Sequence, residues 1–565
     1  MRALLVLLFV CFPLCAMAQS PADFVLHNAT IYTVDADNPQ AEALAVRDGR
    51  LLMVGAAEDV LTAYPDAVRI DAEGHTVVPG LIDAHAHLMG LGQSRIRADL
   101  VGTSSKAAIL DTLTAYAQQL PDGAWLLGRG WDQNDWPTKA FPTRQDLDDA
   151  FPERPVFLSR IDGHAAWANT AAIAATVGLD SLRTMDDPEG GSILRAEDGT
   201  PTGVFIDAAE SIVASEIPPP PEAEQNRALT AALDATATHG LTGVHDAGAD
   251  LATIERYQQF IDQGQFPLRL YVMIGGRGET FDTFCERGPM HDYKGRLSVR
   301  SVKYYVDGAL GSRGAALLDP YSDDPDNRGL LMKEPEVFRQ DVMDAVRCGF
   351  QVNTHAIGDR ANRITLDAYE AALNSLGPAV GRHRVEHAQI LHPDDIGRFA
   401  ALDVIASVQP THATSDMPWA DERLGPDRLD GAYAWKSLKE SGARLAFGSD
   451  FPVEDVDPLE GFYAAITRQD AEGNPAGGWT PDERVSRQTA LEGFTIDAAY
   501  AAFQEDELGS LEPGKYADFV VLSRDIMTVP PQHILDTEVI ATYVGGTPVH
   551  AVDGWPAPSS PRSDR

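Results

Sequence analysis

Cysteine is scarce: four in 565 residues, of which Cys11 and Cys15 lie near the N-terminus. The other two, Cys285 and Cys348, are too few for a disulfide scaffold and lack thiolate-metal spacing, and the sequence leaves their pairing open. Basic residues are also in short supply, with 45 Lys and Arg against 84 Asp and Glu for a net charge of −39. No basic cluster interrupts this excess, which excludes nucleic acid and anionic lipid as natural partners and reads as a solvated acidic shell. Beyond the N-terminus no apolar run is long enough to cross a bilayer.

The N-terminal exception combines Arg2, an apolar stretch over 3–10 and the small-residue site Ala16-Met17-Ala18. This reads as a secretory leader, residues 1–18, cleaved before Gln19. Its apolar part, interrupted by Pro13, falls short of the ~20 residues that a span needs. Phe12-Pro13-Leu14 before Cys15 lacks the small residues of a lipid-attachment site. The expectation is an exported protein, periplasmic or secreted, with no stable membrane insertion after cleavage. An apolar content of 44% supports a sizeable globular core.

Residues 19–78 alternate in short runs separated by turn pairs, of which Asp48-Gly49 is a strong hairpin signal. A similar texture returns over 505–553, and neither segment buries much alone, so the two are expected to form one small β-sandwich. A Pro- and Ser-rich tail, 554–565, is expected to be disordered. Between the ends, strand-like runs at 77–82, 241–245, 268–274, 302–306, 351–355, 384–387, 404–409 and 445–448 alternate with helical stretches. This order predicts an α/β fold, a (β/α)8 TIM-like barrel over 79–504, with chemistry at the C-terminal ends of the strands. From His87 to Leu241 about 150 residues intervene, far more than one crossover needs, so a large insertion after the first barrel strand, roughly 93–220, is expected to stand over the barrel mouth.

The chemistry-bearing residues fall at those strand ends. His85 and His87 are two apart, and residues i and i+2 of a strand face one way, so both imidazoles can grip one metal ion. Lys303, His355, His387 and Asp450 end later strand-like runs.

The surrounding motifs are Pro79-Gly80-Leu81-Ile82-Asp83-Ala84-His85-Ala86-His87, Lys303 with Asp307-Gly308-Ala309-Leu310-Gly311-Ser312-Arg313, His355-Ala356-Ile357-Gly358-Asp359, Arg384-Val385-Glu386-His387-Ala388-Gln389 and Gly448-Ser449-Asp450-Phe451-Pro452. In this order they resemble the amidohydrolase superfamily, specifically its family 3 branch, which includes N-substituted formamide deformylases. The resemblance implies two divalent metal ions, most suitably zinc, with His85 and His87 on one and His355 and His387 on the other. It further implies that Lys303 bridges them as a carboxylated lysine, and that Asp450 is both a metal ligand and the catalytic proton carrier. An ammonium cannot ligate a cation, whereas a lysine carbamate offers two anionic oxygens. The reaction implied is hydrolysis of a C–N bond, amide, N-formyl or N-acyl, in a small molecule.

Each assignment has a plainer competitor. The histidines taken singly could be hydrogen-bonded core residues, Lys303 could pair with Asp307, and Asp450 could cap a helix or a turn. In the insertion, Trp131 and His164 are candidates for the substrate pocket, with lobe core and a structural hydrogen bond as the alternatives. Asp307 and Arg313 are placed with the substrate-binding set or behind Lys303, and His412 is expected to point into the mouth. Ester, lactone or phosphotriester hydrolysis and a non-catalytic periplasmic binding protein are the competing functions. The expected partner is a small-molecule substrate, with no nucleic acid, and a homo-oligomer is left open.

Overall fold

The computed structural model describes residues 22–556, apart from 122, 162–164, 189–190 and 379–380. The expected leader, most of the expected tail and His164 lie outside the described residues. The chain forms two units, residues 1–81 with 495–565 and residues 82–494.

The first unit joins the two ends of the chain. One sheet has the order Arg50–Gly55, Ala43–Arg47, Phe24–His27, Val68–Asp71; the other runs Thr547–Ala551, Val539–Val544, Phe519–Leu522, Thr76–Pro79, Thr30–Tyr32, Gln40–Ala41. Asp48 and Gly49 both adopt positive φ, 51° and 77°, the backbone a tight hairpin turn demands. Phe24, Leu44 and Val77 share one buried cluster with Leu511, Phe519 and Tyr543, so neither end has a complete core without the other. The unit boundary falls at Thr495 rather than at 505, because Ile496–Ala501 is a helix whose Ala499 carbonyl accepts from Gln504 N and whose Ile496 packs under Gly509.

The second unit is built on eight strands that follow one another in space as in sequence: β1 Leu81–Ala86, β2 Leu241–Ala249, β3 Arg269–Gly275, β4 Leu297–Tyr305, β5 Gln351–Ala356, β6 Arg384–His387, β7 Ile405–Val408 and β8 Leu445–Phe447. From β2 to β8 every neighbouring pair is parallel. Asp450 N donates to His85 O and His87 N to Phe451 O, which ties the end of β8 back to β1 and makes a TIM-like barrel. The single strand expected over 77–82 is two strands in the structure. Pro79 has no N–H for a ladder, and Gly80 N turns to Asp518 O, so Thr76–Pro79 pairs with Phe519–Leu522 while β1 starts afresh.

After β1 and the helix Leu88–Ile96, the insertion forms its own sheet in the order Gly191–Arg195, Pro201–Asp207, Ala165–Ala168, Val156–Arg160, Leu126–Trp131, Ala98–Asp99. Its two faces carry separate buried clusters, one around Trp131 and Trp167, the other around Phe157 and Phe205. Among the described residues no helix is long and apolar enough to cross a membrane.

Candidate metal centre

Strand period and barrel closure bring the sequence-distant histidines together. His85 is fully buried on β1, and His87 follows at the start of helix Leu88–Ile96, whose first N–H is accepted by the buried Asp246. The ring centroids of His85 and His387 are 4.8 Å apart, and those of His355 and His387 are 4.6 Å apart. Asp450 Oδ1 lies 3.2 Å from His87 Nε2 and 3.7 Å from His85 Nε2. Lys303 Nζ, at the end of β4, is 2.9 Å from His85 Nε2.

Two three-donor groups result, His85–His87–Asp450 and His387–His412–Asp450, each with its ligand atoms within 4.8 Å of one another. His412, expected at the mouth, joins the second group; His355 is in neither group, but its ring packs on His387. Buried atoms without a hydrogen-bond partner include His355 Nε2 and His412 Nε2, while Asp450 Oδ1 has only the His87 ring at 3.2 Å. Imidazole nitrogens and a carboxylate gathered in one place are the donor set of a divalent cation such as zinc, so these residues fit a metal.

The shell behind these donors fixes their orientation. His85 Nδ1 is in contact with Glu386, which Arg384 holds through Nε at 2.8 Å and Nη2 at 3.0 Å. Arg384 also donates to Ser407 Oγ and approaches His245 Nδ1. His387 Nδ1 lies 2.8 Å from Gln409 Oε1. Such partners select the ring tautomer and leave the other nitrogen for a cation. Asp83 accepts from His85 N and from both Ser449 N and Oγ, locking β1 to the end of β8. Gly448 is required there, because a Cβ would meet Asp83 Oδ1 and His85 N at 2.5 Å. His387 and Asp450 take positive φ, 75° and 63°, an uncommon backbone for residues with side chains and one that clusters at functional sites.

Burial sets most of the protonation states. It presses His85 down to about 4, with Lys303 adding to the effect, and His355 down to about 3, which keeps both rings in the neutral, ligating form. It also lowers Lys303 to about 8. For Glu386 burial favours protonation, but Arg384 and then His85 outweigh it and hold the carboxyl below its ordinary range. For Asp450 burial is likewise outweighed, here by His87, His85 and His387, and the group is a carboxylate. Asp83 and Asp307 are raised to about 7 by burial.

Three expectations for the surroundings are corrected or refined. Trp131 is not a pocket residue: its indole is fully buried in the lobe core and donates to Leu158 O, because an indole N–H in an apolar layer needs an acceptor. Asp307 does not line the cavity and makes no ion pair with Lys303; it accepts from Ala316 N, Ile357 N and Gly358 N, so it shapes the loop that follows β5, and its Oδ1 lies 3.7 Å from His355 Nε2. Arg313 does line the cavity, bidentate on Asp323, which also takes Arg423. Glu386, Arg384 and Gln409 were not among the predicted site residues. For Arg384 and Glu386 the signal was available: charged side chains two apart on a strand that is buried on both faces.

The centre opens into a cavity of about 1210 Å³. The lobe supplies Phe141, Arg160 and Ile206 to its wall, and the barrel loops supply Leu310, Trp419 and Glu454.

A barrel of this topology places its chemistry at the C-terminal ends of its strands, where the histidines, the lysine and the aspartate stand. The chain matches the amidohydrolase family over residues 69–550, and it belongs to that family. It is 36% identical to Protein LONG AFTER FAR-RED 3 of Arabidopsis thaliana, over 93% of this chain and 91% of that one. It is 34% identical to the putative amidohydrolase YtcJ of Bacillus subtilis (93% and 99%) and 30% identical to the N-substituted formamide deformylase of Arthrobacter pascens (93% and 97%). An uncharacterized metal-dependent hydrolase from Pyrococcus horikoshii superposes with a TM-score of 0.76 at 27% identity, covering 90% of this chain and 99% of that one.

Proposed function

We propose that the protein hydrolyses a C–N bond, amide, N-formyl or N-acyl, of a small molecule, using two divalent metal ions, most suitably zinc. The observation that carries this reading is the pair of three-donor groups, buried except for His87, that share Asp450 at the floor of an open cavity. The 30% identity to an N-substituted formamide deformylase supports the choice of bond. When bound, a divalent cation supplies positive charge that acidifies water and polarises a carbonyl.

The chain's own residues do the rest. His85, His87, His355, His387, His412 and Asp450 would hold the cations, and Lys303, as a carbamate, would supply two further anionic oxygens. Carboxylation needs a neutral amine, and burial favours that form of Lys303. Glu386 and Gln409 keep the His85 and His387 rings turned to the cations. Asp450, held as a carboxylate, accepts the proton of the attacking water and returns it to the departing nitrogen. Arg313 and Arg423, which share the carboxylate of Asp323, put guanidinium groups on the cavity wall where they would meet a polar group of the substrate. Export into an oxidising compartment is part of the proposal, and the disulfide between Cys285 and Cys348 supports it.

The test is turnover by purified, zinc-loaded protein of parallel panels of N-formyl amines, N-acyl amino acids, lactones and phosphotriesters. Preferential turnover of the amides is expected, with a kcat fall of about 10²–10⁴-fold for Asp450→Asn. Preference for lactones or phosphotriesters would overturn the choice of bond. Absence of turnover from every panel would favour a binding protein.

A further inference from the structure

Exposed large apolar side chains are few on this acidic protein, and they are not scattered. Among the described residues ten are exposed, and four of them, Phe141, Tyr305, Leu330 and Val453, line the cavity that opens from the metal centre. Two more, Val101 and Ile161, line an adjoining cavity of about 500 Å³ that shares Val453 and Glu454 with the first. Apolar residues exposed singly need no explanation, but six gathered round two adjoining cavities do.

These side chains are also held in place. The Phe141 ring, 41% exposed, stands edge-on to Trp131 of the lobe core, with ring centroids 6.4 Å apart. Leu330, 53% exposed, donates its N–H to Gly314 O at 3.2 Å, and Gly329 before it takes φ 74° against Ala315 O, where a Cβ has no room. Val453 N donates to Asp450 O at 2.9 Å, and the Tyr305 ring lies 5.3 Å from that of His355. Apolar surface fixed against water forgoes the gain that burial brings, and a concave, largely apolar wall around a few polar groups is what a small-molecule site looks like. At about 1210 Å³ the main cavity is far larger than a formyl group on a short amine requires.

We infer that the substrate carries a large apolar arm, alkyl or aryl, beyond the scissile bond, and that Phe141, Leu330 and Val453 select it. This deepens the hydrolase reading above and rests on it. The arm begins at Tyr305, beside the centre, and is gripped between Phe141 of the lobe and Leu330 and Val453 of the barrel loops. Specificity then follows from the apolar area that the arm removes from water.

Two homologous series test this with the zinc-loaded protein: the N-formyl derivatives of methyl-, butyl- and octylamine, and the acetyl, hexanoyl and decanoyl derivatives of glycine. In the series that is turned over, kcat/KM is expected to rise about threefold per added methylene over the first four carbons. Phe141→Ala should cut the ratio of longest to shortest member about tenfold, and Leu330→Asn, an exposed position changed to a polar side chain of similar size, about threefold. The second variant is read if the first does not fold. Octylphosphonate and methylphosphonate make the same comparison by calorimetry without turnover, the octyl compound binding about tenfold or more tightly and losing part of that preference in both variants. Phosphonate affinities that do not depend on chain length would overturn the inference, as would a length preference that both variants leave intact. Absence of turnover in both series, with octylphosphonate still preferred, would sink the hydrolase reading and leave the apolar subsite standing.

Discussion

The inserted lobe and the barrel mouth both bury polar and aromatic side chains, but they treat them oppositely. In the lobe, the indoles of Trp131 and Trp136 pack together with Trp167 edge-on to both, and each N–H has an acceptor, Leu158 O for Trp131, Thr103 O for Trp136 and Thr143 O for Trp167. Asn169 there makes two donations and accepts from Val156 N and Ala172 N. In the mouth, His355, His412 and Gln389 are equally buried or nearly so, yet each keeps an atom without a partner. A completed hydrogen-bond set is what a core requires, and an incomplete one is what a ligand site requires. The contrast separates a tryptophan-rich wall that holds shape from a histidine-rich floor that acts.

The largest test of that contrast is Trp131→Ala, expected to cost about 3–5 kcal/mol of stability, read from urea unfolding. Its companion Trp131→Phe, which keeps most of the packing, should leave KM within twofold; a larger change in KM would put the indole back among the substrate contacts. Next in size is Glu386→Gln, which preserves shape but removes the charge that orients His85. Zinc affinity is expected to fall about 10–100-fold in competition with a chelating dye, and an unchanged affinity would make Glu386 simply a core ion-pair partner.

The smallest effect lies on the helix Pro458–Thr467 that follows β8, where burial and then Asp455, Asp457 and Glu454 raise Glu460 to about 7. Between its ordinary value and 7 the folded protein binds this proton more firmly than the unfolded chain. Its stabilisation is therefore complete at low pH and lost as pH rises through 7. Glu460→Gln should leave Tm unchanged at pH 4 and raise it by roughly 1–2 °C at pH 8. An equal shift at both pH values would remove the charge explanation.

Much of this was legible in the residues. The alternation of strand and helix gave the barrel, and the two ends gave the sandwich, because period-two patterning and hairpin turns are local signals. His85, His87, Lys303, His387 and Asp450 were readable as strand-end donors, since the strand period fixes which way a side chain leaves the backbone. The split of the first strand at Pro79-Gly80 was less visible, because a continuous apolar run hides a change of sheet. Trp131 was ambiguous for a similar reason: the sequence shows an indole but not what receives its N–H.

The order of residues by itself determined the chemical inventory, a set of imidazoles, a lysine and an aspartate at the ends of barrel strands, because those positions follow from local periodicity. Only the tertiary structure decided which of the buried polar atoms are completed and which are left open. Glu386 reaches His85 across 301 residues, while Asp83 and Ser449, 366 residues apart, are joined by closure of the barrel. Hydrogen-bond satisfaction is a property of neighbours in space, so the sequence names the donors and acceptors, and the fold determines which still lack a partner.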